Sequence, residues 1–307
     1  MMAGFHRLHT RMHCAVISLI CLLPSTELYA TDTLQIQVQA KQSEFDTSHD
    51  YFIGLLELAL NKQTLLSGWT LSVQTDLMTQ ERALHQLKLN PSYAVYWAGT
   101  SRQRENNLQA IRIPLTKGLL GFRVSLAHKD NVEKLNLALS KEQFLKLVPC
   151  QAAQWPDTDI LLKAGFNVVS SPVYEGLFKQ LNTQRCDFFP RGVAEAESEY
   201  LARKESYPRV RLYKDTIIHY PFPMYFFVSQ DKKRLAEALE QGLEKAIDDG
   251  SFDQFMRRHE TTRHLFPLNN WLNARYLMLD NPTLPDDTVT TDERYWIQPP
   301  GNAEMIR

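Results

Sequence analysis

The 307-residue chain has no excess of either charge: 34 Lys and Arg stand against 35 Asp and Glu, for a net charge of -1. That balance removes the electrostatic argument for a nucleic-acid or anionic-membrane partner. No short-period repeat and no low-complexity segment is visible. No segment is apolar for the roughly 20 residues that a membrane-spanning helix needs. The common catalytic spacings are missing too: there is no Gly-x-Ser-x-Gly elbow, no Walker loop, no dinucleotide fingerprint and no Cys/His set with zinc spacing. His259 and His264 stand five apart, which on a helix turns the second roughly 140° from the first and keeps both from one metal. No metal and no cofactor are expected. Hydrophobic content of 44% and charged content of 22% are those of an ordinary globular protein, and the length allows one large domain or two lobes.

The first thirty residues are organised differently. Arg7 and Arg11 precede an apolar core at 14–23, then come Pro24 and the polar Ser25, Thr26 and Glu27. Leu28-Tyr29-Ala30 makes a cleavage site before Thr31. This is the layout of a secretory signal peptide, with an apolar core too short to cross a bilayer. Ile20 before Cys21 excludes the lipoprotein pattern, which needs a small residue there. The mature chain is expected to begin near Thr31 and to be exported. Cys14 and Cys21 leave with the signal, so Cys150 and Cys186 remain.

From there the pattern alternates between strand and helix periods. Residues 34–39 alternate apolar and polar as a strand, 49–61 carry a helical stripe started by Ser48, 69–75 read as a strand and 79–89 as a helix. Residues 93–98 and 119–126 are apolar strand-like runs. Ser140 and Gln143 form a capping box. A short strand at 146–150 follows, then a helix at 159–164, a strand at 167–170, a helix at 173–181, a strand at 186–189 and a helix at 193–204. An aromatic strand at 220–229 and an amphipathic helix at 231–248 precede a short helix at 252–259. Residues 271–279 read as a further helix, and Pro282, Pro285, Pro299 and Pro300 make the rest extended. Strands alternating with helices in this way argue for α/β architecture.

Residues 93–126 carry the candidate site. A strand ends at Gly99, followed by Thr100, Ser101, Arg102 and Arg104, and a further alternation stops at Pro114. Backbone N–H groups and a guanidinium at such a turn can hold an anion, although the same pattern also serves an ordinary turn with solvated arginines. The stretch resembles the ligand-binding turn of periplasmic solute-binding proteins of the amino-acid-binding family (family 3), and the closing strand, long helix, glycine turn and short helix at 220–259 resemble that family's final element. The resemblance covers roughly residues 34–259. It implies a two-lobe type II periplasmic-binding-protein fold, each lobe a mainly parallel sheet flanked by helices. The implied parts are a signal peptide at 1–30, a first lobe at 31–117 and 219–265, a second lobe at 118–218, and a tail at 266–307 wrapped on the first lobe.

The same resemblance implies reversible capture of a small, carboxylate-bearing, amino-acid-like solute in the periplasm. The protein would be a monomer that serves an inner-membrane ABC transporter or a sensor, and not an enzyme. Gly99, Ser101 and Arg104 match the carboxylate-binding turn, with Arg102 as the rival because the turn is about two residues short. Gln154, Trp155 and Asp157 stand where the second lobe's turn closes over the ligand, with Trp155 as a cleft face or as lobe core. Family members end the 187–192 stretch in an acid that takes the ligand's amine. Here Gly192 holds that place beside Arg191, and Glu195 or Glu197 remains to reach in. Two arginines from opposite lobes, Arg104 and Arg191, would favour an anion. Phe45 and Trp97 are candidates for stacking on the ligand or for packing. Under the resemblance Cys150 lies late in one parallel strand and Cys186 early in its neighbour, so two separate buried thiols are expected. The alternatives are an enzyme similar to cyclohexadienyl dehydratases, with Glu195 or Asp157 as general acid, and a degenerate lobe pair used as an interaction module.

Overall fold

A computed structural model of the chain describes Met1 and residues 33–46, 48–268 and 273–306. The expected signal peptide and its cleavage site lie outside these residues.

The first half builds a two-stranded parallel sheet and two strands of a separate three-stranded one. Strand β1 (Leu34–Val38) buries Ile36 and Val38 by its two-residue period and pairs in parallel with β2 (Trp69–Val73). Between them runs α1 (His49–Lys62), whose stripe of Tyr51, Phe52, Leu55, Leu56, Ala59 and Leu60 is buried as its spacing predicts. Helix α2 (Gln80–Leu89), capped by Thr79, follows, then β3 (Tyr96–Gly99), α3 (Arg102–Asn107) and β4 (Gln109–Ile111). All four residues of β3 are buried, so the strand is covered on both faces.

The second half of the fold, a five-stranded sheet and a separate two-stranded one, is reached through residues 117–121. It holds β5 (Phe122–His128), the short helices α4 (Val132–Leu137) and α5 (Lys141–Phe144), β6 (Cys150–Ala152), α6 (Pro156–Lys163), β7 (Val169–Ser171), α7 (Tyr174–Asn182), β8 (Phe188–Gly192), α8 (Val193–Arg203) and β9 (Val210–His219). The capping box of Ser140 and Gln143 is present on α5. The chain then returns to the three-stranded sheet as β10 (Met224–Val228), inserted between β3 and β4, and α9 (Lys233–Asp248) and α10 (Ser251–Arg258) follow. Helix α9 packs on α1 so closely that a Cβ on Gly242 would lie 2.0 Å from the Ala59 carbonyl oxygen. The two crossings lie against each other: Tyr220 N donates to Gly121 O at 3.2 Å, and a Cβ on Gly121 would meet the Tyr220 carbonyl at 2.1 Å. Glycine is needed there to let the backbones approach.

The architecture is the two-lobe α/β one expected, with three departures. The sheets are mixed rather than mainly parallel. β10 runs antiparallel to both its neighbours, and β5 runs antiparallel to β8 and β9, because these are the strands by which the chain changes lobes.

The tail also departs from expectation. The part of 271–279 that is described forms a strand, β11 (Arg275–Met278), and not a helix. It pairs in parallel with β9 and carries β12 (Glu304–Met305) on its far edge. The open edge of β9 supplies a ladder of hydrogen bonds that outweighs local helical spacing. The tail therefore extends the five-stranded sheet, and it is fastened to the first lobe as well: Arg102 N donates to Thr283 O at 2.7 Å and Ile297 N to Lys117 O at 2.9 Å.

The third departure is the cysteine pair. Cys150 and Cys186 form a disulfide, with Cα atoms 5.5 Å apart, and are not separate thiols. Strand β6 begins at Cys150 instead of ending there. Pro149 bridges Phe188 in parallel, so both cysteines sit at the same end of neighbouring strands.

Candidate functional site

A cavity lies where the two lobes meet. The loop after β1 contributes Gln42 and Asp46, β3 contributes Trp97 and Gly99, and α3 contributes Arg104. From the other lobe come Arg123 of β5, Trp155 and Asp157 at the start of α6, Tyr174, Arg191 at the end of β8, and Glu195 and Glu199 of α8. Its volume is about 40 Å³. A water needs about 10–15 Å³, so the lobes meet over a space for a few waters.

Arg104 is positioned by the turn that the sequence singled out. Ser101 caps α3, its hydroxyl accepting from Arg104 N at 3.3 Å. The guanidinium folds back, Nη1 donating to Gly99 O at 2.6 Å and Nη2 crossing the cleft to Gln154 O at 3.2 Å. Among the described residues no carboxylate is bonded to it, and burial lowers its pKa to about 10. Arg102, the rival, points outward to Asp286 and the Leu284 carbonyl. It lines an open groove of about 740 Å³ that adjoins the cavity, since Arg104, Trp155 and Pro156 line both.

Arg191 has a different environment. Its Nε and Nη2 take both oxygens of Glu199 at 2.7 and 2.6 Å, and Nη2 lies 3.0 Å from Glu195 Oε2. The guanidinium carbon stands 4.8 Å from the Trp155 ring and 5.2 Å from Phe189. Its charge is therefore spent inside the protein, and Glu195 and Glu199 raise its pKa against the effect of burial. Burial would raise Glu199, but Arg191 beside it outweighs this and holds the carboxyl below its ordinary value. Glu195 is pushed up, first by burial and then by the charge of Glu199, although Arg191 opposes this. Its Oε2 is shared as an ion-pair partner by Arg191 Nη2 and, at 3.9 Å, by Arg123 Nη1, while Trp155 Nε1 has no hydrogen-bond partner among the described residues.

Asp157 is paired with Arg123, both almost wholly buried, and the Tyr220 hydroxyl donates to Asp157 at 2.7 Å while accepting from Arg123 Nε at 2.9 Å. Pro156 opens α6, so Asp157 sits in its first turn, where a carboxylate suits the helix dipole.

Of the residues expected at the site, Trp97, Gly99, Arg104, Trp155, Asp157, Arg191 and Glu195 line the cavity. Gln154 reaches it by its backbone carbonyl, and Ser101 acts by capping α3. Phe45 is not part of it. Its ring is 39% exposed and covers the Arg203 guanidinium at 5.3 Å, while its carbonyl accepts from Arg203 Nη1. Glu197 pairs with Lys214 outside the cleft. Sequence reading missed Glu199, Tyr174 and the Asp157–Arg123–Tyr220 group. For Glu199 the signal was present: Glu195, Glu199 and Arg203 recur every four residues in α8 and so share one helix face.

No protein-family model matches the sequence, and no curated protein matches it. Solved structures do. An ancestral arginine-binding protein bound to arginine is 14% identical with a TM-score of 0.55, over 74% of this chain and 97% of that one. A histidine kinase sensor domain with similarity to periplasmic binding proteins is 13% identical, with a TM-score of 0.54 over 73% and 94%. A structure from the study of glutathione import through GshT in Streptococcus mutans is 12% identical, with a TM-score of 0.54 over 74% and 94%. The chain has the two-lobe fold of the periplasmic amino-acid-binding proteins. Within that fold the cavity described above is the cleft between the lobes. Among the described residues no cluster suited to a metal ion occurs, and no helix is long and apolar enough to cross a membrane.

Proposed function

We propose that the protein captures a small, carboxylate-bearing, amino-acid-like solute in this cleft and hands it to a membrane transporter or reports it to a sensor. The observation that carries the reading is Arg104: a buried guanidinium at the cleft, bonded among the described residues to carbonyl oxygens of the two lobes and to no carboxylate. A buried cation without an acid is costly, and a solute carboxylate would supply the missing partner in bidentate geometry. Glu195, whose carboxylate lines the cavity, is the acid placed nearest to take the solute's ammonium group, in competition with the Arg191 and Arg123 guanidinium groups that face its Oε2. With a cavity of about 40 Å³, entry requires the lobes to part, with the lobe boundaries at residues 118 and 218. Export agrees with the Cys150–Cys186 disulfide, a bond that persists in oxidising compartments.

The test is mass spectrometry of small molecules released when protein purified from the periplasm is denatured. A carboxylate-bearing compound in near-equal amount to protein supports the reading. Its absence, together with no change in melting temperature across an amino-acid panel, contradicts it. An enzyme on the same fold has one supporting feature: burial raises the carboxyl of Glu195 at the cavity, which favours the protonated form that a general acid needs. Loss of prephenate or arogenate in the presence of the protein, abolished by Glu195→Gln, would favour that reading.

A further inference from the structure

We propose that Arg191 is a resident occupant of the cleft, filling from the protein's own side the compartment walled by Glu199, Trp155 and Tyr174 and so closing that compartment to a solute's side chain. This rests on the cleft being the binding site.

The geometry around Arg191 is that of a bound ligand. Glu199 meets it with two parallel hydrogen bonds at 2.7 and 2.6 Å, the fork geometry by which carboxylates recognise a free guanidinium group. Trp155 and Tyr174, which line the same cavity, stand 4.8 and 5.9 Å from the guanidinium carbon, and Phe189 closes the strand side. The Tyr174 hydroxyl also donates to Glu199, fixing the carboxylate. Arg191 is therefore matched in charge and in shape and offers little to a solute, yet its side chain still occupies the cleft. The cavity that Arg104 and Arg191 both line is about 40 Å³, and on the other side Arg104 and Trp155 border the open groove. Arg104, by contrast, has no acid and keeps its capacity for a carboxylate. One arginine is thus available to a ligand, and the other takes the place of part of one.

The consequence is a specificity that can be inverted. Removing the Arg191 side chain would leave a vacant compartment with an anionic end and an aromatic wall, open to Arg104. A solute carrying a guanidinium on a flexible chain and a carboxylate at its other end would then fit both. The experiment uses calorimetry and thermal melting of the exported full chain with methylguanidinium and L-arginine as probes. Arg191→Ala is expected to bind each probe at least about tenfold more tightly than wild type, since one charge-assisted hydrogen bond is worth about tenfold or more. Adding Glu199→Gln should remove that gain. No gain with methylguanidinium overturns the proposal. A gain with methylguanidinium but none with arginine also overturns it, because the compartment would then be sealed from Arg104.

If Arg191→Ala does not fold, Arg191→Gln with Glu199→Gln removes both charges together and still shortens the occupant. That pair should gain affinity for L-glutamine, and absence of a gain overturns the proposal. The methylguanidinium arm needs no knowledge of the natural solute. Failure of wild type to bind any carboxylate solute counts against capture in the cleft and is read separately.

Discussion

Breaking the Cys150–Cys186 bond should cost the protein a definite amount of stability. The two cysteines are 36 residues apart in sequence. Closing a loop of that length removes unfolded-state entropy worth about 4 kcal/mol in the chain-entropy relation. In a chain of this size that corresponds to a drop in melting temperature on the order of 10 °C. The bond also ties the start of β6 to the residue leading into β8, the strand that ends at Arg191, so its loss loosens the wall of the cleft. Urea unfolding with and without reductant reads the difference. Unfolding without reductant in the presence of a thiol reagent should leave both cysteines unlabelled, and Cys150→Ala with Cys186→Ala should unfold at the same midpoint as reduced wild type. Two labelled thiols and a midpoint indifferent to reductant would refute the reasoning and return the cysteines to separate places.

Two further predictions concern buried charge. Asp157→Ala leaves Arg123 in the interior with the Tyr220 hydroxyl and the more distant Glu195 carboxylate at 3.9 Å, and should destabilise the fold by about 3 kcal/mol, measured by urea unfolding; a loss under about 1 kcal/mol would mean that water or Glu195 replaces the partner. His219 packs edge-on against Phe122, and burial lowers its pKa from 6.5 to about 4. Between those values the unfolded chain takes up a proton that the folded chain refuses. The contribution is therefore complete above about pH 6.5 and is lost as pH falls toward 4, by about 3 kcal/mol in all. His219→Phe should flatten this part of the stability–pH curve, and an unchanged slope would show that the ring is solvated.

How far the sequence could be read followed how local each signal is. Helices α1 and α9 announced themselves by apolar stripes that are buried as spaced. Helix α3 did not, since Arg102–Asn107 is polar throughout and only Arg104 is buried. Strand β9 was overlooked because exposed Arg211, Lys214 and Asp215 interrupt its apolar alternation. The cysteine error came from register: a strand taken to end at Cys150 begins there. At the site, Gly99, Ser101 and Arg104 lie within six residues and were legible as a turn, Arg191 and Glu195 came from the family resemblance, and Glu199 was missed although it stands one helical turn after Glu195 on α8. Asp157, Arg123 and Tyr220 are separated by 34, 63 and 97 positions, and only tertiary structure brings them together.

The claim at the centre of this account is that Arg104 waits for a carboxylate. Calorimetry with the solute recovered from the purified protein, on wild type, Arg104→Ala and Arg102→Ala, addresses it directly. A charge-assisted bond worth about 1.5–3 kcal/mol predicts that Arg104→Ala weakens binding by roughly ten- to a hundredfold or more, while Arg102→Ala binds as wild type. Equal affinity in wild type and Arg104→Ala would contradict it.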